Sequence, residues 1–135
     1  WASYGSNSLQ VELNPVPQKS FASFSCESLI TKNWANAEFI ICDINNTTQN
    51  PLYVIAEVQG GREHNVSVTK EVAIGIGVNT NVWFDLRHQV RDASGMEIPG
   101  IQDDDNIRTV TFRIAGKSSA GTVFFDNINI SGKDL

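Results

Sequence analysis

Apolar and polar residues alternate along most of this chain with a period of two. In residues 107–115 (Ile-Arg-Thr-Val-Thr-Phe-Arg-Ile-Ala), Val110, Phe112 and Ile114 point one way and Thr109, Thr111 and Arg113 the other. Residues 122–130 (Thr-Val-Phe-Phe-Asp-Asn-Ile-Asn-Ile) lie between Gly121 and Gly132 and read as a further strand. Their apolar positions skip the Asp-Asn pair, so a bulge is expected to re-phase the alternation there. A carboxylate inside such a strand is costly unless it is paired, hydrogen-bonded or metal-bound. Asp126 is therefore a structural anchor or a cation ligand.

The same alternation marks Leu9–Leu13, Phe21–Cys26 and Leu52–Gln59. In the last of these, Leu52, Val54, Ala56 and Val58 share one face, and Tyr53, Ile55, Glu57 and Gln59 the other. Glu38–Ile44 is a central strand, apolar on both faces at its start. Residues 65–69 alternate again. Residues 72–78 read as a glycine-interrupted, sharply bent strand. In Val82–Leu86, Trp83 and Asp85 face outward. Turn residues separate these stretches, notably Asn14–Pro17, Asn45–Pro51, Gly60–Gly61 and Gly116–Gly121. Residues 87–106 read as one long polar loop, of a length that is uncommon and often functional. Eight or nine short strands with turns between them predict an all-β fold, a two-sheet antiparallel β-sandwich of the jelly-roll kind, formed by residues 1–135 as one domain.

Composition narrows the function. Of 135 residues only 19% are charged, against 41% hydrophobic, and the net charge is −5. The polarity comes from Asn, Ser, Thr and Gln, which suits a secreted, extracellular β-protein. No basic stripe is present to neutralise phosphates, so nucleic acid is excluded as a partner, and an anionic membrane surface is disfavoured for the same reason. No apolar run is long enough to span a bilayer. The opening Trp1-Ala-Ser-Tyr4 reads as the start of an excised module whose upstream flank is absent. Cys26 and Cys42 are either two buried thiols or one disulfide.

Candidate chemistry is sparse. Glu57, Glu63, Asp85 and Asp126 are available for a glycosidase pair, but no compact acidic signature lies on one strand. His64 and His88 flank no nucleophile elbow. The run Asp103–Asp105 has no calcium-loop spacing and reads as a solvated acidic turn. A sugar-binding face fits better, because a sugar ring stacks on an aromatic and hydrogen-bonds to planar polar side chains. Tyr53, Glu57 and Gln59, then Asn65, Ser67 and Thr69, then Thr111 and Arg113, are the expected face. Trp83 is the expected platform on a strand, with Trp1 and Tyr4 at the rim, while Trp34 reads as structural.

Four pieces of the chain, taken together, resemble the family 11 carbohydrate-binding modules, jelly rolls that bind β-1,4 and mixed-linkage glucans beside plant-cell-wall hydrolases. These are Trp1-Ala-Ser-Tyr4; Trp34 with Ile40–Ile44; Val54-Ile-Ala-Glu57 followed by Arg62-Glu-His64; and Asp105-Asn-Ile107 through Phe112 with Phe125-Asp-Asn-Ile128. The resemblance implies stacking by Tyr4 and hydrogen bonds from the Gly61–His64 turn. It also implies contacts from the loop after Leu86, where Arg87, Arg91 and Asp92 stand. The family's acidic first strand, which helps hold a structural calcium, is absent, leaving Asp126 as the metal candidate. The expected function is non-catalytic binding of a β-glucan (cello-oligosaccharide, mixed-linkage glucan or xyloglucan) by Trp1, Tyr4, Gln59, Arg62, His64, Trp83 and Arg113. A covalently linked hydrolase domain is the expected partner. The alternatives are a jelly-roll glycosidase or polysaccharide lyase, or a module for mannan or agar.

Overall fold

A computed structural model describes residues 9–13, 21–26, 33–61, 65–87, 90–92, 94–102, 104–115 and 121–132. Within them are eleven strands: β1 (Leu9–Leu13), β2 (Phe21–Cys26), β3 (Ala37–Asn46), β4 (Leu52–Gly60), β5 (Val66–Val68), β6 (Val72–Ile74), β7 (Gly77–Asp85), β8 (Val90–Asp92), β9 (Glu97–Ile98), β10 (Ile107–Ala115) and β11 (Gly121–Gly132). They form two antiparallel sheets. One has four strands in the order β1-β11-β3-β7. The other has seven, β2-β10-β4-β5-β8-β9, with β6 also paired to β4. Successive long strands change sheet, from β1 to β2 to β3 to β4 and again from β10 to β11, which is the jelly-roll arrangement of a β-sandwich.

Period-two patterning explains the layers. Leu52, Val54, Ala56 and Val58 of β4 and Val110, Phe112 and Ile114 of β10 are all buried, as are Ile40, Cys42 and Ile44 of β3. These side chains meet between the sheets. Phe112 of the seven-stranded sheet lies 5.5 Å, centroid to centroid, from Phe84 and 5.6 Å from Phe125, both of the four-stranded sheet. The three rings thus join the two layers, and burial of such area dominates the stabilisation of a sandwich. Trp34 is also buried, as its structural reading requires.

The expected bulge at Asp126-Asn127 is present. The β11–β3 register shifts between Asp126 and Asn129, and Asn127 takes a φ of 51°. A second bulge, not foreseen, lies on the other side of β3. There Asn81 of β7 also has a φ of 51°, and its N–H donates to Asp43 Oδ1 at 2.8 Å.

Three expectations need correction. Residues 72–78 are not one bent strand. β6 belongs to the seven-stranded sheet and β7 to the four-stranded one, and the chain crosses between them at Gly75-Ile76. Gly77, at φ 93°, supplies the left-handed turn that this crossing needs. The long loop after Leu86 contains a small hairpin, β8–β9, because Asp92 folds the turn. Its Oδ1 accepts N–H bonds from Ser94 and Met96 at 2.9 and 3.0 Å. Finally, Ser67 and Thr69 do not face outward. Both are buried, where Ser67 Oγ accepts from Gln102 N–H and Thr69 Oγ1 from Ala56 N–H, each at 3.0 Å. Satisfying these buried main-chain donors outweighs placing the valines of β5 inside.

Candidate functional site: the outer face of the seven-stranded sheet

On β4 and β10 the residues that alternate with the core form one open face. Tyr53 stands at one end of it and is 44% exposed. Across from it on the two neighbouring strands are Ala115 and Ala73, the smallest side chains the ladder offers. Its ring therefore has no bulky cross-strand partner.

Further along the face, Arg113 Nε donates to Glu57 Oε2 at 3.1 Å, and its Nη2 donates to Oε1 at 3.3 Å. This two-point geometry holds both side chains in fixed orientation. One step on, Thr109 Oγ1 donates to Gln59 Oε1 at 3.2 Å. Tyr53 to Gln59 spans six residues of strand, about 20 Å. That is room for several sugar rings laid along β4. Ile55, Val66 and Val68 sit among these polar groups, half-buried, so the face alternates apolar and hydrogen-bonding ground. Beyond β5, Val68 stands opposite Arg91 of β8, and Arg91 opposite Glu97 of β9. The loop after Leu86 thus returns one of its arginines to the same sheet.

The expected contacts divide. Gln59 and Arg113 come together on this face with Tyr53, Glu57 and Thr111. Trp83 does not join them. It lies on β7, in the four-stranded sheet, between the buried Val82 and Phe84, and is 51% exposed on the opposite side of the sandwich. The alternation read its direction correctly, but not which sheet it belongs to. Trp1, Tyr4, Arg62 and His64 lie outside the described residues, as do Glu63, His88 and Asp103.

The carboxylates divide likewise. Glu57 is on the seven-stranded sheet, and Asp85 and Asp126 are on the other. Asp126 Oδ1 accepts the N–H of Asn127 at 2.8 Å, which gives it the anchoring bond of the bulge. Among the described residues no group of three or more His, Cys, Asp or Glu side chains gathers as a metal site. Cys42 is a free, buried thiol. Burial, and next the Asp43 carboxylate, push its pKa up to about 12.

A cavity of about 340 Å³ opens at one end of the sandwich, lined by Trp34, Glu38, Leu86, Arg87, Pro99 and Asp104 among others. Of the expected sugar contacts only Arg87, from the loop after Leu86, lines it among the described residues. Neither family models nor curated proteins give a match to this chain.

Proposed function

We propose that this domain is a non-catalytic carbohydrate-binding module that holds a β-glucan chain along the outer face of β4 and β10. The observation that carries the reading is the line formed by Tyr53, the Glu57–Arg113 pair and the Gln59–Thr109 pair on that face. Tyr53 stacks on the apolar side of a sugar ring. Arg113 and Gln59 hydrogen-bond to the hydroxyl rim, and their partners hold them in place before the ligand arrives, which lowers the ordering cost of binding. The separation of Glu57 from Asp85 and Asp126 favours binding over a two-carboxylate hydrolysis among these groups. The biological role that follows is to keep a linked hydrolase near its extracellular polymer, through raised effective concentration.

The test is affinity electrophoresis and calorimetry with cellohexaose, mixed-linkage glucan and xyloglucan, with mannan and agar oligosaccharides as comparison. Saturable binding of the β-glucans, weakened in a folded Tyr53→Ala/Arg113→Ala variant, is expected. A double variant that still binds through the same face would overturn the assignment. Release of reducing ends or unsaturated products would overturn the non-catalytic reading.

A further inference from the structure

The outer face of the four-stranded sheet carries a second aromatic platform, and it is built rather than incidental. Trp83 projects from β7 and meets Phe39 of β3 edge-to-face, with ring centroids 4.6 Å apart at 72°. The Arg87 guanidinium lies 4.5 Å from the Phe39 centroid. Arg87 is in turn tied down on two sides. Its Nη1 donates to Glu38 Oε2 at 3.2 Å, and its Nε and Nη2 donate to the Asp85 carboxylate at 3.3 Å. A chain of contacts from Asp85 and Glu38 through Arg87 and Phe39 thus fixes an indole that remains half exposed.

The surroundings mix polar groups with apolar ones, Ile41 and the exposed Ile128 among them. Ile41 stands directly across from Trp83, and Asn129 across from Ile41, so the three form one row on this face. The next row holds Asp43 and Asp126, flanked by the two bulges. Those bulges leave Asn81, Asn127 and Asn129 exposed. Asn129 Nδ2 donates to Asn127 O and Oδ1 at 2.9 and 2.8 Å, which presents the amides as a fixed pair. A rigid aromatic beside ordered amides and carboxylates suits a ring with one apolar face and a hydroxyl rim. Asp43 is buried and bonded to Asn81 N–H, so it steadies the face, while a protein partner's apolar patch would leave the part-exposed Asp126 carboxylate facing hydrocarbon.

We infer that Trp83 is the platform of a second saccharide site, on the opposite side of the sandwich from Tyr53 and independent of it, for a neutral β-linked glucan chain. This rests on the proposed function for the class of ligand. Two sites on opposite sheets make the module a clamp between neighbouring chains of its polymer, with affinity for assembled polysaccharide exceeding that for a soluble oligosaccharide.

The experiment is calorimetry and tryptophan fluorescence with cellohexaose on the whole chain, for wild type, Trp83→Ala, Arg113→Ala and the double variant, each checked for folding by circular dichroism. The expected stoichiometry is about two per wild-type chain and about one for either single variant, since the sites act separately. Turbidity of mixed-linkage glucan is expected only with wild type. One ligand per wild-type chain, unaltered by Trp83→Ala, overturns the second site and leaves the first standing. Binding lost in Trp83→Ala and kept in Arg113→Ala supports the Trp83 site and overturns the face chosen above. No binding in any arm overturns both. A wild-type dimer on sedimentation that Trp83→Ala dissolves assigns the platform to a second copy and overturns it as a sugar site.

Discussion

Arg113 grips Glu57 although the two are not direct neighbours across the ladder. Arg113 stands opposite Ile55, and the guanidinium reaches diagonally to the next outward residue of β4, at 3.1 Å. The pair lies on the surface, with the arginine side chain 43% exposed. Solvent screening of such pairs keeps the stability change on Arg113→Ala below about 1 kcal/mol. The glucan affinity of this face should fall by about tenfold to a hundredfold, the loss of roughly one charge-assisted hydrogen bond, enough to take that site out of a calorimetric titration. Urea denaturation and affinity electrophoresis on the same variant separate the two effects.

Phe112 tests the core. It is fully buried and touches Phe84 and Phe125 across the sandwich. Phe112→Ala should cost about 3–5 kcal/mol through lost burial and an unfilled cavity. The midpoint of chemical unfolding measures this. The same loss without change in cooperativity would show that both sheets unfold together.

Much of this architecture is legible in the sequence. The inward set on β4 and β10 follows from period two, and so does the bulge at Asp126-Asn127, where the alternation breaks. What escapes is whatever depends on partners distant in sequence. Ser67 and Thr69 alternate as cleanly as an outward face, yet they are buried because Gln102 and Ala56 need their oxygens. Trp83 and Arg113 each point outward from their own strands. Only the order of strands in each sheet reveals that they face opposite solvents. The second bulge at Asn81 breaks no hydrophobic rhythm, since Asn79 and Thr80 before it are polar and the alternation begins only at Val82.

Gly132 meets a neighbour so closely that a methyl group there would run into the carbonyl oxygen of Asn36. The obstacle is backbone, which cannot rotate aside. Gly132→Ala should therefore lower the melting temperature markedly, with loss of the β11–β3 pairing at that end first. Amide hydrogen exchange at Phe39 and Ser131 reads it out, since these residues pair just inside the contact.

Acid should loosen the β8–β9 turn. The Ser94 hydroxyl, and then the backbone N–H groups of Met96 and Ser94, hold the Asp92 carboxylate below its ordinary pKa. The contribution is fully present above the unfolded value of about 3.9. It is lost as pH falls through the lower folded value, because the protonated acid gives up these acceptor bonds. Ser94→Ala should move the Asp92 titration upward, as followed by carboxyl-carbon NMR.

Alkali acts on Cys42 with the opposite sense. With its folded pKa pushed up to about 12, the thiol stays protonated where an unfolded one ionises. The associated stability is complete below the ordinary thiol pKa of about 8.5 and declines as pH rises toward the folded value. At pH 8 the native chain should leave Cys42 unlabelled by iodoacetamide, and unfolding should expose it, as peptide mass spectrometry will record.

Among the described residues β7 closes one side of the four-stranded sheet, so one row of its backbone groups faces outward. A straight margin of that kind is a template on which further chains can lengthen a sheet. Asn81 interrupts it, twisting the strand partway along and breaking the run of evenly spaced donors and acceptors. Copies of the chain brought close together are therefore protected from zipping into fibres. Crowding is the condition its margin is shaped to survive.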